Sequence, residues 1–241
     1  MLERLKKLEQ LRGALSKSDG RDTGFHLRLK AVKAWQQRRL ARTYADLTAD
    51  GRYAPAITFF LDELYGTKDS TIRDRDLTRM HPTIERLLPK FAFDAVDNAL
   101  ELDVLAEEFD QALTSALGDK PLTEANYLRA FCVVGRHEAR LHQINLMKAV
   151  GEGLDRMVKK PLIFSTLKML RGPAKMAGLG EMQQFLEAGF AAFRHMNGAD
   201  FFLATIASRE TMLIERIFGG ETDPFSVIDE WNRKSGLPPH D

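Results

Sequence analysis

The stretch Phe59-Phe60-Leu61-Asp62-Glu63-Leu64-Tyr65-Gly66 sets aromatic and acidic residues inside a helical pattern and closes it with a glycine. At about 100° per residue, Tyr53, Ile57, Phe60, Leu61 and Leu64 gather on one helix face, and Phe59 falls on the other beside Asp62 and Glu63. One face belongs in a core. The other carries a ring among two carboxylates, which implies either a second packing layer or a contact surface. Phe59, Phe60, Asp62, Glu63 and Tyr65 are therefore the candidate interaction residues, with Phe60 and Leu64 expected inside and Phe59, Asp62 and Glu63 in a separate contact.

Outward from this segment, apolar residues recur at helical spacing along nearly the whole chain, without an alternating strand pattern. The expected fold is all-α, a compact bundle of roughly eight to ten helices. Leu2, Leu5, Leu8, Leu11 and Leu15 form a narrow stripe on a short first helix that ends at the polar run Ser16 to Gly24. Residues 1–18 thus read as a peripheral helix that docks on its own domain or pairs with another chain, 25–234 as one helical domain, and 235–241 as a tail. Within the domain, helices are expected over 25–49, after Asp50-Gly51, over 91–117, from Thr123 with either a break near Gly135 or two halves that meet different neighbours, and over 161–170. Turns are expected over 68–76 and 172–178, with a short segment between Pro82 and Pro89. Two amphipathic helices, Met182 to Met196 and Phe202 to Ile217, are joined through Asn197-Gly198 as an antiparallel hairpin, and a last helix starts after Asp223-Pro224.

With Asp62 in place of a glutamate, the motif resembles that of the bacterial proteins named after FFLEELY. The likeness runs from about Val32 to Phe218 and includes Arg73-Asp74 and Asp76, Arg140 with Gln143-Ile144, Gly178-Leu179, Ala192-Phe193 and Arg209-Glu210. The resemblance implies a helical fold. It carries over no activity, cofactor or catalytic residue.

Composition narrows the classes. Thirty-five Lys and Arg against 34 Asp and Glu leave no global field toward nucleic acid or an anionic membrane, so such binding needs a local patch. The charge is locally uneven: seven cations and one acid lie between Arg21 and Arg42, and eight acids without a Lys or Arg between Phe91 and Asp119. These fields either face each other in the fold or meet separate partners. Cys132, the single cysteine, excludes an internal disulfide and reads as a small core residue between Phe131 and Val133. The charged N-terminus is no signal peptide and no stretch approaches a membrane span, so the expectation is a cytoplasmic protein without integral membrane association.

Chemistry-bearing patterns are sparse. Glu138 and His142 share a helix face, but neither Glu-x-x-His nor His-Glu-x-x-His occurs, and the spacing equally describes a solvated stripe. His195 beside Phe193 and Met196 is the minimal haem ligand, though such residues more often form core. Trp35 and Tyr44 interleave with the basic run, a pattern compatible with nucleic acid but equally with packing. Reversing Arg38 and Arg39 is expected to spare the fold. Lys159 to Lys175 forms a second basic amphipathic segment of a kind that touches phosphate or a membrane surface, although its prolines and glycines argue against a continuous surface helix. Glu210 lies near the middle of the apolar stripe of Ile206, Leu213 and Ile217, so it needs a buried partner; Arg140 is the candidate, and Arg140, Arg209 and Glu210 are read as a buried polar network that locks helix register. No phosphate loop or nucleophile elbow appears, and no catalytic residue, metal or cofactor is assigned. The reading is a noncatalytic binding or protein-interaction protein, possible as a homo-oligomer. The alternatives are a metal- or haem-dependent enzyme or carrier and a nucleic-acid-associated protein.

Overall fold

The computed structural model describes residues 1–16, 23–64, 71–87, 90–169 and 171–236. Among them are thirteen α-helices, one π-helical turn and no strand: α1 (Leu2–Ser16), α2 (Thr23–Thr43), α3 (Ala45–Ala49), α4 (Ala54–Phe59), the π-turn (Phe60–Leu64), α5 (Thr71–Leu87), α6 (Lys90–Leu117), α7 (Glu124–Val134), α8 (His137–Val158), α9 (Pro161–Met169), α10 (Arg171–Met176), α11 (Gly180–Met196), α12 (Asp200–Phe218) and α13 (Ser226–Lys234). None is long and apolar enough to cross a membrane.

The all-α expectation holds, with more and shorter helices than the spacing implied. The second predicted helix splits at Tyr44 into α2 and α3. Where a turn and a short segment were expected, α5 runs through Pro82, whose ring is exposed and whose missing N–H costs the helix one bond. Gly172-Pro173 lies inside α10, where a first-turn proline gives up an N–H that has no intrahelical acceptor. The break near Gly135 is real: Gly135 and Arg136 both take positive φ, 62° and 60°, and turn the chain from α7 into α8.

The main core joins Val32 and Leu40 of α2, Leu113 and Leu117 of α6, Tyr127 and Phe131 of α7, Ile144 and Met147 of α8, Phe193 and Met196 of α11, and Phe202, Leu203 and Ile206 of α12. Helix α8 packs between α6 and α12. Its approach to α6 depends on Gly153, where an added Cβ would stand 2.7 Å from Cβ of Ala95.

Helix α1 docks on its own domain. Leu5 and Leu8 bury with Leu100 in a cluster separate from the main core, while Arg4 pairs with Asp97 and Glu101, and Arg12 with Asp103 at 2.7 Å. The opposed fields therefore meet within the molecule, since acidic α6 also receives Lys33 of α2 on Glu107 at 2.8 Å, and Asp119 in the turn just after it receives Arg28 at 3.1 Å. Burial would raise the Glu107 carboxyl, but Lys33, Gln111 and Arg12 together hold it below the usual range. Trp35 stacks on Tyr127 at 3.9 Å between ring centroids, so it belongs to the packing and not to a base-stacking surface.

The motif makes a second packing layer. Phe59, 8% exposed, rests on Gly189 of α11, where an added Cβ would lie 2.9 Å from its Cζ, and its ring is 5.3 Å from Phe185. Phe60 is half-buried against Phe202 and Phe193, with centroids 5.7 and 6.4 Å away. The order of burial is thus the reverse of the helical-wheel reading. The wheel separates the two rings correctly, since Phe60 keeps helical backbone (φ −62°, ψ −49°); what it does not record is that α11 packs on α4 and covers the face that carries Phe59. Asp62 is exposed and Glu63 half-buried; Tyr65 lies outside the described residues. Cys132 is also corrected: it is exposed on α7, with Sγ 3.7 Å from the Ile217 carbonyl oxygen.

Candidate functional site

A cavity of about 160 Å3 lies between α2, α6, α7, α8 and α12, with Glu63 of the π-turn and Arg12 of α1 completing its wall. Apolar residues form much of the lining, among them Leu40, Phe109, Ile144, Met147 and Leu213. The polar part is dense for an interior. It brings together Lys33, Gln36 and Arg39 of α2, Glu107 and Asp110 of α6, Tyr127 of α7, Arg140 and Gln143 of α8, and Glu210 of α12.

Most of these charges are matched. Arg39 donates to Glu210 at 2.5 Å, and the Tyr44 hydroxyl donates to the same carboxylate oxygen at 2.8 Å. Burial opposes the Arg39 charge, yet Glu210 holds its guanidinium more firmly protonated than usual. Lys33 and Arg12 serve Glu107, at 2.8 and 3.5 Å.

Two groups are not matched in this way. Asp110 accepts one bond from Gln36 at 3.0 Å, has Lys33 at 3.8 Å and is attracted by Arg140; burial, aided by repulsion from Glu107, outweighs all three and pushes its carboxyl up to about 6. Arg140, 6% exposed, lies 3.6 Å from the Phe131 ring centroid and 4.2 Å from that of Phe109, and donates through Nε to the Gly135 carbonyl at 3.2 Å. Its buried Nη2 has no hydrogen-bond partner, and no carboxylate pairs with Arg140 among the described residues. Burial draws its guanidinium down to about 10.

The expected network of Arg140, Arg209 and Glu210 is thereby redrawn. Arg140 and Glu210 line one cavity, but Glu210 takes Arg39 as its cation. Arg209, its neighbour along α12, turns the other way and pairs with Asp46 at 2.6 and 2.7 Å while donating to the Thr43 carbonyl at 2.8 Å. Burial would raise Asp46, but Arg209, with the Leu47 amide and the Ser235 hydroxyl, more than offsets it and holds the carboxyl below its ordinary value. This second pair joins α12 to the α2–α3 corner away from the cavity and has the structural role of fixing register.

Other candidates disperse. His142 Nε2 contacts Glu101 at 2.7 Å while Glu138 is exposed, and His195 Nε2 contacts the Gly51 carbonyl oxygen at 2.9 Å. No grouping of three or more potential ligands suited to a metal occurs among the described residues. Asp62 and Glu63 border an open apolar groove with Phe59, Ala188, Ala192 and His195.

Asp110 yields a pH prediction of definite sign. Its folded carboxyl binds a proton more tightly than an unfolded one, so its contribution favours the fold at acid pH and is lost as pH rises from about 4 to about 6. Asp110→Asn keeps the acceptor for Gln36 and removes the uncompensated charge. It should stabilise the protein at pH 8 by up to about 3 kcal/mol and make almost no difference at pH 4. Urea unfolding at both pH values measures this; equal effects at the two would refute the assignment.

The fold and site together define an all-helical bundle with a charged interior cavity. Residues 16–224 match a family model described as Domain of unknown function (DUF8198), and the chain belongs to that family. No curated protein and no solved structure matches it. Of the cavity wall, Arg12 and Phe225 fall outside the matched span.

Proposed function

We propose that the protein is a noncatalytic binding protein whose interior cavity holds a small zwitterion of amino-acid size. The observation that carries this reading is Arg140, a buried cavity-lining cation whose Nη2 is without a hydrogen-bond partner and which forms no ion pair among the described residues, Asp110 acting on it only at longer range. An unpaired buried charge costs stability, and a ligand carboxylate would supply the missing partner. Asp110, short of compensation in the same wall, offers the complementary site for an ammonium group. Size agrees: a cavity near 150 Å3 admits a benzene-sized molecule, so about 160 Å3 suits a ligand of roughly five to eight non-hydrogen atoms.

Native mass spectrometry of protein purified from its own host, followed by thermal shift with glycine, alanine, β-alanine and γ-aminobutyrate, tests the proposal. A retained small mass, or a rise in melting temperature with a zwitterion and not with its amide, is the expected result. Affinity should strengthen as pH rises through about 6, where Asp110 ionises beside Lys33, Arg39, Glu107, Arg140 and Glu210. Arg140→Met should weaken binding by about 2–5 kcal/mol, roughly thirtyfold to several thousandfold. A bare chain mass with no response to any zwitterion would overturn the reading.

A further inference from the structure

Helices α9 and α10 carry the three most exposed large hydrophobic side chains among the described residues: Leu162 and Met169, each 79% exposed, and Met176, 85% exposed. Leu162 and Met169 are two helical turns apart, so they project from the same side of α9. The opposite side supplies half-buried Ile163, Phe164 and Leu167 toward α8 and α11. An apolar row has therefore been left outside by a helix that has a covered face of its own.

Along the chain, the segment that bears this row is charged with one sign. From Arg156 through Gly180 the chain holds six Lys and Arg residues and no acid. Arg171 is committed to Glu187 and Lys159 to Asp155, but Lys160 and Lys175 are exposed and have no carboxylate partner among the described residues. Lys168, also exposed, lies over the Phe164 ring at 4.4 Å. Arg79 of α5 reaches the same region, contacting the Ala177 carbonyl oxygen at 3.4 Å. Exposed Leu and Met side chains beside lysines whose long stems can lift their charge to the headgroup level match the chemistry of a bilayer interface bearing anionic lipid.

We propose that the α9–α10 face docks the protein reversibly on anionic phospholipid membranes, with Leu162, Met169 and Met176 entering the interface and Lys160, Lys168 and Lys175 meeting the headgroups. Apolar contact alone would suit any covering surface; the exposed cations Lys160, Lys168 and Lys175, which have no carboxylate partner among the described residues, select an anionic one. Docking of this kind is independent of the cavity and its ligand.

Co-sedimentation of the full chain with phosphatidylcholine vesicles, with and without about one third phosphatidylserine, tests the proposal. Two triple variants accompany it, Leu162→Ser with Met169→Ser and Met176→Ser, and Lys160→Gln with Lys168→Gln and Lys175→Gln. All six positions are exposed, so both variants should keep the parent helical signal and unfolding midpoint. Binding to the anionic vesicles, weakened by salt and about a hundredfold by the lysine variant, at roughly fivefold per lysine, and lost in the serine variant, is the expected result. Failure to pellet with anionic vesicles, equal binding to neutral ones, or binding that neither variant changes would overturn it. A dimer abolished by the serine substitutions without vesicle binding would assign the face to a second copy and likewise overturn it.

Discussion

Reversing Arg39 to glutamate should cost at least about 4 kcal/mol, a large fraction of the stability of an ordinary domain. The guanidinium lies 2.5 Å from Glu210 in the cavity wall, and its side chain is 16% exposed. Breaking such a pair by removing one partner typically costs about 3–5 kcal/mol, and the new carboxylate would add repulsion from Glu210 and Glu107 in the same wall. Arg38, its exposed neighbour, should tolerate the same reversal within about 0.5 kcal/mol. Urea unfolding of the two single variants compares a buried ionic group with a solvated one on the same helix. A second arm exchanges the pair, Arg39→Glu with Glu210→Arg, and should recover part of the loss. Equal tolerance of both reversals would contradict the pairing, and with it the sequence expectation that the two arginines act alike would stand.

Phe59→Ala should cost about 3–5 kcal/mol, because it removes a buried ring from between α4 and α11 and leaves a cavity against Gly189 and Phe185. Gly189→Ala alone should also destabilise, by about 1–3 kcal/mol, since its Cβ would meet the ring at 2.9 Å. Combined with Phe59→Ala, the same methyl enters vacated space, so the double variant should be more stable than the sum of the single losses allows. Simple additivity would show that the ring does not rest on the glycine. Phe60→Ala, at a half-buried position, should cost less than Phe59→Ala.

The helical class and most long spans were legible because the apolar spacing of segments such as Phe91 to Leu117 repeats over several turns. So were the Thr123 cap, whose Oγ1 accepts from the Asn126 amide at 3.3 Å, and the Asn197-Gly198 link, whose residues take φ of 53° and 111°. The motif's packing was legible as an alternative and not as a decision, because a wheel assigns residues to faces without recording that a distant helix, α11, will cover the face of Phe59.

The cavity was not legible as a whole. Its polar pairs join residues far apart in sequence, Arg39 with Glu210 and Lys33 with Glu107, and no local spacing records which distant helices will meet. A partial signal did exist. Arg39 follows Val32 by two helical turns, and Asp110 precedes Leu117 by two, so each intrudes on an apolar stripe as Glu210 does. Reading those intrusions together would have gathered three of the polar residues around the cavity. That no carboxylate among the described residues pairs with Arg140 required the assembled structure.

The most direct measurement pairs native mass spectrometry with urea unfolding for wild-type and Arg140→Met protein purified from the same host. A buried cation kept for its ligand should cost the empty protein stability, because methionine fills similar space between Phe109 and Phe131 without an unpaired donor. The account predicts a small retained mass on wild type that the variant lacks, and an unfolding free energy for the ligand-free variant equal to that of ligand-free wild type or higher by up to about 2 kcal/mol. A bare wild-type mass, together with a variant destabilised by about 3 kcal/mol or more, would make Arg140 a structural residue of the core and contradict the account.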